Sequence, residues 1–326
     1  MKIKIEKPNE IIFLGYHDVL KSYVKINKSF KIKSTILLSK NQFNKIKSNK
    51  EKIKFFSNQG KKFISELKKI TQKPTKKIFI SVSWPWILGK NIINAFFEKN
   101  LLLNIHHSRL PYDAGRATTS WKILRNDRIN STIVHKIDKK VDSGAIIYRK
   151  DTLFSFKAKT PNQYDTEINN QSISMYKEFL NKIYNNSFFK IKHQPDFIGR
   201  YNMRLNTKLN AWIDWNWSSE HLIRFINAFD EPYEGAKTSI DGKIVRLKKA
   251  QLHGGETVNH PFASGQVLRN DKKWILVATS DHNCLIIEKI LDNNDHNIIL
   301  KIKQGSKFHT SYKNINLSKT KAKLTL

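Results

Sequence analysis

The first third of the chain alternates short apolar runs with segments whose apolar residues recur at helical spacing. Strands are predicted at 11–14, 34–38, 52–56, 77–82 and 101–105, and helices at 62–70 and 91–98. This alternation predicts an α/β fold with an open, mostly parallel, doubly wound sheet and helices on both faces. Right-handed connections then place the carboxyl ends of the strands at one edge of the sheet, where ligands bind in such folds.

The remainder of this first part continues the pattern up to residue 184. Helices are predicted at 119–125 and 161–184, and strands at 132–138 and 145–148. The polar stretch 185–196, which contains Asn-Asn-Ser and Pro195, predicts a boundary. We therefore expect one domain over 1–195 and a second over 196–326.

The second domain is expected to be a helix followed by a small barrel. Ser218 and Ser219 are the predicted N-cap of a helix that ends at Phe229, and Asp241-Gly242 predicts a hairpin turn. The short strands that follow predict a small antiparallel β-barrel of OB-like character. From Lys301 onward the chain is basic and polar, and we expect a tail that is disordered in part.

The net charge of +32 on 326 residues is a weak indication of a nucleic-acid partner. Ten of the 59 basic residues are arginines, and the lysines are spread along the chain, so compositional bias explains the charge as well as a binding surface does. One cysteine, Cys284, excludes a disulfide framework. No signal peptide is visible and no apolar run approaches the roughly 18 residues of a membrane span. We expect a soluble, cytoplasmic protein.

Three polar residues in the middle of the chain are placed where they can converge. Asn104 and His106 follow the apolar run Leu101-Leu102-Leu103, and residues two apart in a strand point to the same face. Asp142 lies on a later loop that ends in a glycine. An Asn, a His and an Asp at one strand edge are enough to predict an active site.

The neighbouring histidines receive other interpretations. His107 points to the opposite face from His106 and is interpreted as structural. His135 lies on the inward face of its strand with Ile133 and Ile137, which favours a core histidine over support of the site. His106 and His107 lack a third ligand at metal-binding spacing, so no metal is expected.

Arginine is absent before Arg109 and then becomes frequent. Arg109, Arg116, Arg125, Arg128 and Arg149 fall within about 40 residues. In a lysine-dominated chain this indicates a use for the planar guanidinium, which binds phosphate or carboxylate in a bidentate manner; surface salt bridges are the alternative. The chain contains neither G-x-G-x-x-G after its first strand nor G-x-x-x-x-G-K-[ST], so dinucleotide-binding and P-loop functions are unsupported.

Motifs between about residues 77 and 270 resemble, in order and spacing, those of the folate-dependent formyltransferases. They are N-I-H at 104–106, S-R-L-P at 108–111, D-S-G at 142–144, I-D-W at 213–215 and P-Y-E-G-A at 232–236. The resemblance implies an enzyme that transfers a formyl group from 10-formyltetrahydrofolate to a primary amine, without a metal. It also implies that 1–195 is the catalytic domain.

The resemblance assigns roles to individual residues. Asn104, His106 and Asp142 match the catalytic Asn, His and Asp of the family. The backbone at 86–88 and the loop 139–142 match where the family holds the pteridine. The expected cofactor contacts are Trp84, Trp86, Ile87, Leu88, Lys139 and Val141.

Two departures favour a sugar acceptor over tRNA. S-R-L-P followed by A-G-R, and the turn S-W-P-W-I-L at 83–88, resemble the formyltransferases of surface-sugar biosynthesis more than the tRNA branch. The expected acceptor is a nucleotide-linked amino sugar, with substrate contacts at Arg109, Tyr112, Arg116 and Arg204. The alternatives are methionyl-tRNA formyltransferase, formyltetrahydrofolate hydrolase and a non-catalytic basic binding protein. The oligomeric state stays open, with a homodimer as one option.

Overall fold

The computed structural model describes residues 1–43, 52–97, 100–115, 118–138, 140–195, 199–254 and 258–320. Its strands are β1 (Lys2–Lys4), β2 (Glu10–Leu14), β3 (Lys33–Ser39), β4 (Lys52–Phe56), β5 (Lys77–Ser81), β6 (Leu101–His106), β7 (Asp113–Gly115), β8 (Ile129–Lys136), β9 (Ile146–Leu153), β10 (Phe188–Lys190), β11 (Arg200–Asn202), β12 (Ala236–Ile240), β13 (Lys243–His253), β14 (Val267–Asn270), β15 (Ile275–Ala278) and β16 (Cys284–Leu291). Its α-helices are α1 (Leu20–Ser29), α2 (Lys40–Phe43), α3 (Lys61–Thr71), α4 (Lys90–Phe97), α5 (Thr118–Leu124), α6 (Pro161–Tyr184), α7 (Thr207–Asn210), α8 (Ser219–Ala228) and α9 (Tyr312–Thr320). Short 3₁₀-helices lie at Pro261–Ala263 and Ile299–Lys301. No helix within these ranges is long and apolar enough to cross a membrane.

The chain divides into two compact units. The first contains Met1–Ala114, Ile129–Leu153 and Glu167–Arg200, and the second contains Gly115–Arg128, Phe154–Thr166 and Tyr201–Leu326. Within the stretch predicted as a boundary, β10 pairs antiparallel with β1. A domain boundary at 195/196 stays a prediction.

The first unit is built on a seven-stranded sheet in the order β4-β3-β2-β5-β6-β8-β9. The five strands β4, β3, β2, β5 and β6 run parallel to one another. Strand β8 pairs antiparallel with β6 on one side and β9 on the other. The predicted α/β class with a mostly parallel sheet is confirmed. The antiparallel β8 matters for the site, because its register places His135 directly opposite Asn104 of β6.

Strand β2 shows why this sheet is covered on both faces. All four of its apolar residues are buried, and successive residues point to opposite sides. Ile11 and Phe13 pack in a cluster with residues of α1 and α6, whereas Ile12 and Leu14 pack in a cluster with residues of α3 and α4. A continuous apolar strand of this kind is typical of a sheet sandwiched between helices.

The second unit contains a five-stranded antiparallel sheet in the order β12-β13-β16-β15-β14. The segment 306–309 joins its two edges: Ser239 N donates to His309 O at 2.9 Å, and Val267 N donates to Ser306 O at 2.8 Å. The antiparallel sheet is confirmed. The hairpin between β12 and β13 is also confirmed, with Asp241 (φ 49°) and Gly242 (φ 74°) both in the left-handed region that a two-residue turn of this type requires.

Ser218 is the N-cap of α8 and Phe229 its C-cap, as predicted. The Ser218 side chain makes no capping bond, and the Asp281 carboxylate accepts from Ser219 N at 2.9 Å instead. From Lys301 to Thr320 the chain is folded: Phe308 is buried, its ring stacks on that of Trp215 at 5.5 Å, and α9 follows. Residues 321–326 lie outside the described residues, so disorder at the end of the tail stays a prediction. The contacts of Ser219 with Asp281 and of Phe308 with Trp215 join residues far apart in sequence, which composition alone does not reveal.

Candidate active site

Asn104 lies at the carboxyl end of β6 and is oriented by a histidine on the neighbouring strand. Its Nδ2 atom is 3.0 Å from His135 Nε2, and His135 Nδ1 is 2.7 Å from the Lys136 carbonyl oxygen. A carbonyl oxygen only accepts, so Nδ1 carries the imidazole proton and Nε2 accepts from the Asn104 amide. Burial, and then the charge of His106, lower the pKa of His135 to about 4, which keeps this ring neutral at neutral pH. Among the described residues, the second amide hydrogen of Asn104 has no acceptor, which leaves it for a ligand.

Asp142 is presented by a tight turn after β8. Its backbone is in the left-handed region (φ 56°), and Gln194 Nε2 holds the turn by donating to the carbonyl oxygens of Asp142 at 2.9 Å and Gly144 at 2.7 Å. The Asp142 Oδ1 atom lies 3.9 Å from His106 Nδ1 and 3.8 Å from His135 Nε2. These separations are longer than direct hydrogen bonds and suit a bridging water.

His106 completes the group with one ring nitrogen facing Asp142. Its other ring nitrogen, Nε2, is buried and has no hydrogen-bond partner in the described part of the chain. A buried polar atom without a partner costs about 1–3 kcal/mol, so such an atom in a native fold points to a ligand. Asn104, His106 and Asp142, which we call the Asn–His–Asp site, are thus brought together as the sequence predicts. An amide N–H and an imidazole nitrogen there are suited to bind a carbonyl oxygen.

His107 directly follows β6 and is half-buried. Desolvation is the main cause that lowers its pKa to about 3, and His17, whose ring centroid is 5.9 Å away, adds to the effect. His107 is therefore neutral at neutral pH.

The lowered pKa values of His135 and His107 predict how stability depends on pH. Their pKa values are lowered from 6.5 in the unfolded chain to about 4 for His135 and about 3 for His107, so below about pH 6.5 the unfolded state binds more protons. The free energy of unfolding should therefore fall as the pH drops from about 6.5 to 4, by about 1 kcal/mol per pH unit for each histidine. Urea unfolding across this window checks it, and His107→Gln should make the slope shallower. An equal slope in the exposed control His193→Gln and in His107→Gln would contradict it.

The turn at Asp142 predicts a second stability effect. A Cβ on Gly144 would overlap the Lys136 carbonyl oxygen, whereas a Cβ on Gly89 would meet no heavy atom within 4 Å. Gly144→Ala should lower the free energy of unfolding by about 1–3 kcal/mol through overpacking and move Asp142 out of place. Gly89→Ala is the matched control, and equal effects of the two variants in chemical denaturation would refute the assignment.

The residues 83–88, which we call the aromatic turn, are held rigidly at the end of β5. The Trp84 ring stacks on Phe63 at 5.4 Å, and Trp86 packs edge-on against Trp84 at 5.0 Å. The Gln59 amide fits between them, accepting from Trp84 Nε1 at 3.0 Å and donating to the Ile87 carbonyl oxygen at 3.1 Å. Trp84 is therefore half-buried against the core cluster that contains Phe63, and the Gln59 side chain bonds the backbone of the turn from outside it.

The other predicted cofactor contacts fall into three groups. The side chains of Ile87 and Val141 are 73% and 66% exposed and are available to a ligand. Leu88 is buried in the cluster beneath the sheet, so it could meet a cofactor only through its backbone. Lys139 lies outside the described residues.

The predicted substrate contacts are likewise divided. Arg109 and Tyr112 belong to the first unit. Arg109 lies 3.7 Å from the carboxylate of buried Asp113 and 5.7 Å from the centroid of the exposed Tyr112 ring. Arg204 is exposed and belongs to the second unit. Arg116 lies outside the described residues.

Sequence reasoning missed the contacts that orient these groups. His135 was interpreted as a core residue, and it is buried, but it also bonds Asn104. The alternation of His135 with Ile133 places its side chain on the inward face of β8. The hydrogen bond to Asn104 follows only from the register of β8 against β6. The roles of Gln59 and Gln194 cannot be predicted from the residues around them, because each side chain bonds a turn that is distant in sequence.

Comparison with known proteins adds a family to this geometry. The family model described as formyl transferase matches residues 27–180, and that described as formyl transferase, C-terminal domain, matches residues 206–302. The chain therefore belongs to the formyltransferase family. The two matched ranges contain every residue of the Asn–His–Asp site, the five-stranded sheet, and the strands of the seven-stranded sheet other than β2.

The relatives by sequence include methionyl-tRNA formyltransferases and a bifunctional polymyxin resistance protein ArnA of Wigglesworthia glossinidia brevipalpis. Methionyl-tRNA formyltransferase of Rickettsia massiliae (strain Mtu5) is 28% identical over 201 residues, which cover 61% of this chain and 62% of the relative. The chain thus matches less than two thirds of that relative's length.

Solved structures with a similar fold include sugar N-formyltransferases, HypX from Aquifex aeolicus and a methionyl-tRNA formyltransferase from Clostridium thermocellum. An N-formyltransferase from Helicobacter canadensis in complex with folinic acid and dTDP-3-aminofucose has a TM-score of 0.65 at 18% identity, covering 86% of this chain and 99% of that one. A sugar 3N-formyl transferase solved in the presence of dTDP and 5-N-formyl-THF has a TM-score of 0.64 at 19% identity, covering 88% and 98%. At such identities these similarities establish a common fold.

Proposed function

We propose that this protein transfers a formyl group from 10-formyltetrahydrofolate to the primary amine of a nucleotide-linked amino sugar. The observation that carries the proposal is the Asn–His–Asp site, where buried His106 Nε2 has no protein partner among the described residues and Asn104 keeps a free amide hydrogen. The S-R-L-P motif and the sugar acceptors named for proteins of similar fold support the choice of acceptor. We place the reaction in the cytoplasm and in surface-polysaccharide biosynthesis as part of the same proposal.

The site's residues fit the needs of this reaction. When bound, 10-formyltetrahydrofolate supplies a formyl group that is already activated for transfer. Asn104 Nδ2 and His106 can both donate to the formyl oxygen as it gains negative charge, and one such donor is worth about 3–4 kcal/mol. Asp142 faces both histidine rings at 3.8 and 3.9 Å and can accept, through water, the proton that the attacking amine loses.

Mass spectrometry of the acceptor tests the proposal directly. The enzyme is incubated with 10-formyltetrahydrofolate and a panel of nucleotide-linked amino sugars. We expect one member to gain the mass of one carbonyl group, and only when the donor is present. No such product from any member would refute the sugar acceptor.

Methionyl-tRNA formyltransferase is the second candidate, favoured by the relatives at 28% identity and the net charge of +32. It predicts formylation of methionyl initiator tRNA and a complex whose affinity falls steeply with salt. Absence of both, alongside a formylated sugar, would remove this candidate. Formate release without any amine would instead indicate a formyltetrahydrofolate hydrolase, and binding without turnover a non-catalytic protein.

The Gln59 contacts predict a separable effect on the folate donor. Gln59→Leu keeps the side-chain volume but removes both bonds to the aromatic turn, where we place the pteridine. We expect the KM for 10-formyltetrahydrofolate to rise by about 3–10-fold with kcat nearly unchanged, because the chemical groups stay in place. The control is exposed Gln72→Leu, at the end of α3. A fall in kcat with unchanged KM would contradict this role.

A further inference from the structure

The second unit contains a pocket of its own between α5, α8 and α9. Its volume is about 520 Å³, within the range of small-molecule sites. All of its lining residues belong to the second unit, whereas the Asn–His–Asp site belongs to the first. We call it the α5–α8 pocket.

The walls of the α5–α8 pocket are aromatic. Trp121 is fixed by its Nε1 atom, which donates to the Met203 carbonyl oxygen at 2.8 Å, so the ring itself faces the pocket. Trp217 packs against Phe225 at 4.9 Å, and Phe225 packs in turn against Phe229 at 5.0 Å. Such surfaces suit a flat ring, since stacking of a base on an aromatic side chain contributes about 1–3 kcal/mol.

The charged groups of the pocket are of one sign. Arg125, His221 and Lys319 line it, and among the described residues that line it there is no aspartate or glutamate. Arg125 Nη1 donates to the neutral Asn202 amide oxygen at 2.8 Å, which orients the guanidinium. Lys319 pairs with Asp214 at 2.9 Å and lies 5.7 Å from the centroid of the Trp217 ring. Arg125 is the group in this lining whose planar fork matches a phosphate, because a guanidinium can bind two phosphate oxygens at once.

We propose that the α5–α8 pocket binds a nucleoside phosphate, with the base against Trp121 and Trp217 and the phosphate on Arg125. The charge complementarity and the flat aromatic walls exclude a cationic or purely aliphatic ligand as the preferred occupant. This inference does not depend on the acceptor proposed for the Asn–His–Asp site. It assigns the second unit a ligand of its own.

The test reads the pocket separately from the active site. The full chain is labelled with 5-fluorotryptophan, and the Trp121 and Trp217 fluorine resonances are assigned with single Trp→Phe variants. We expect UMP or dTMP to shift both resonances saturably, whereas the nucleoside alone and inorganic phosphate alone shift them weakly. Folinic acid should act on the Trp84 and Trp86 resonances instead, which keeps failure here distinct from failure of the proposed reaction.

A matched pair of arginine variants completes the test. Arg125→Leu should weaken nucleotide binding by about ten-fold or more. Arg224→Leu, on α8 outside the pocket lining and paired with Glu220, should leave it unchanged. No shift of the Trp121 and Trp217 resonances in the unsubstituted protein would overturn the proposal. Equal weakening by both variants would also overturn it, since that is the behaviour of a diffuse basic surface.

Discussion

Replacement of His106 by alanine should lower kcat/KM for formyl transfer by about 10²–10⁴-fold. The expected loss follows from the position of this ring: Nδ1 faces Asp142 at 3.9 Å, and Nε2 is buried without a partner among the described residues. Removing the ring takes away the proposed hydrogen bond to the formyl oxygen. It also removes the imidazole nitrogen that faces the Asp142 carboxylate. Steady-state kinetics with the best acceptor of the mass-spectrometric panel measures it.

The matched control for this prediction is His193→Ala. His193 belongs to the same unit and its side chain is exposed, so kcat/KM should stay within about two-fold of the unsubstituted enzyme. Unchanged activity in His106→Ala would contradict the assignment and favour the binding-protein alternative. Thermal unfolding of both variants separates a catalytic loss from misfolding.

Replacement of Asn104 by leucine should lower kcat by about 10²–10³-fold with little change in KM. The volume is nearly preserved, but the amide hydrogen aimed at the developing negative charge is lost, and charge develops fully only in the transition state. The His135 Nε2 acceptor loses its partner at the same time, which adds a modest loss of stability.

Asn100→Leu controls for the loss of an asparagine near the same strand. The Asn100 side chain donates to the Phe96 carbonyl oxygen at 3.0 Å and lies ahead of β6. It should affect stability and leave kcat unchanged. If Asn104→Leu raised KM and spared kcat, Asn104 would be a ground-state binding group and the proposed role would be wrong.

Much of the first unit follows from local sequence. The apolar runs and helical spacings predict the parallel strands, because each strand of a doubly wound sheet is buried on both faces and reads as continuously apolar. The same reasoning places Asn104 and His106 on one face at the end of β6. A Gly-terminated turn likewise predicts the bend that carries Asp142.

What the sequence does not reveal depends on contacts between distant segments. The partnership of His135 with Asn104 requires the register of β8 on β6, and the start of α8 is capped by Asp281 rather than by its own serine. The order of residues 306–320 depends on pairing with both edges of the antiparallel sheet and on Phe308 packing against Trp215. In each case the structure depends on a contact with a residue distant in sequence, which local sequence patterns do not predict.

The acceptor is the part of the function that the fold leaves open, since tRNA and sugar enzymes share it. In the proposed reaction the Asn–His–Asp site acts on the formyl group, so it would be the same for either acceptor. Arg109 lies 3.7 Å from the Asp113 carboxylate within the first unit, and its contact with an anionic group of the substrate stays a prediction.

The fate of the formyl carbon tests the central claim most directly. The enzyme is given 10-formyltetrahydrofolate labelled with carbon-13 in the formyl group, together with the amine acceptor, and the label is followed by NMR. We predict that it appears as an N-formyl amide in equal amount to the tetrahydrofolate formed, and that Asn104→Leu and His106→Ala both suppress it. Label recovered as free formate, or equal transfer by the variants and the unsubstituted enzyme, would contradict the account.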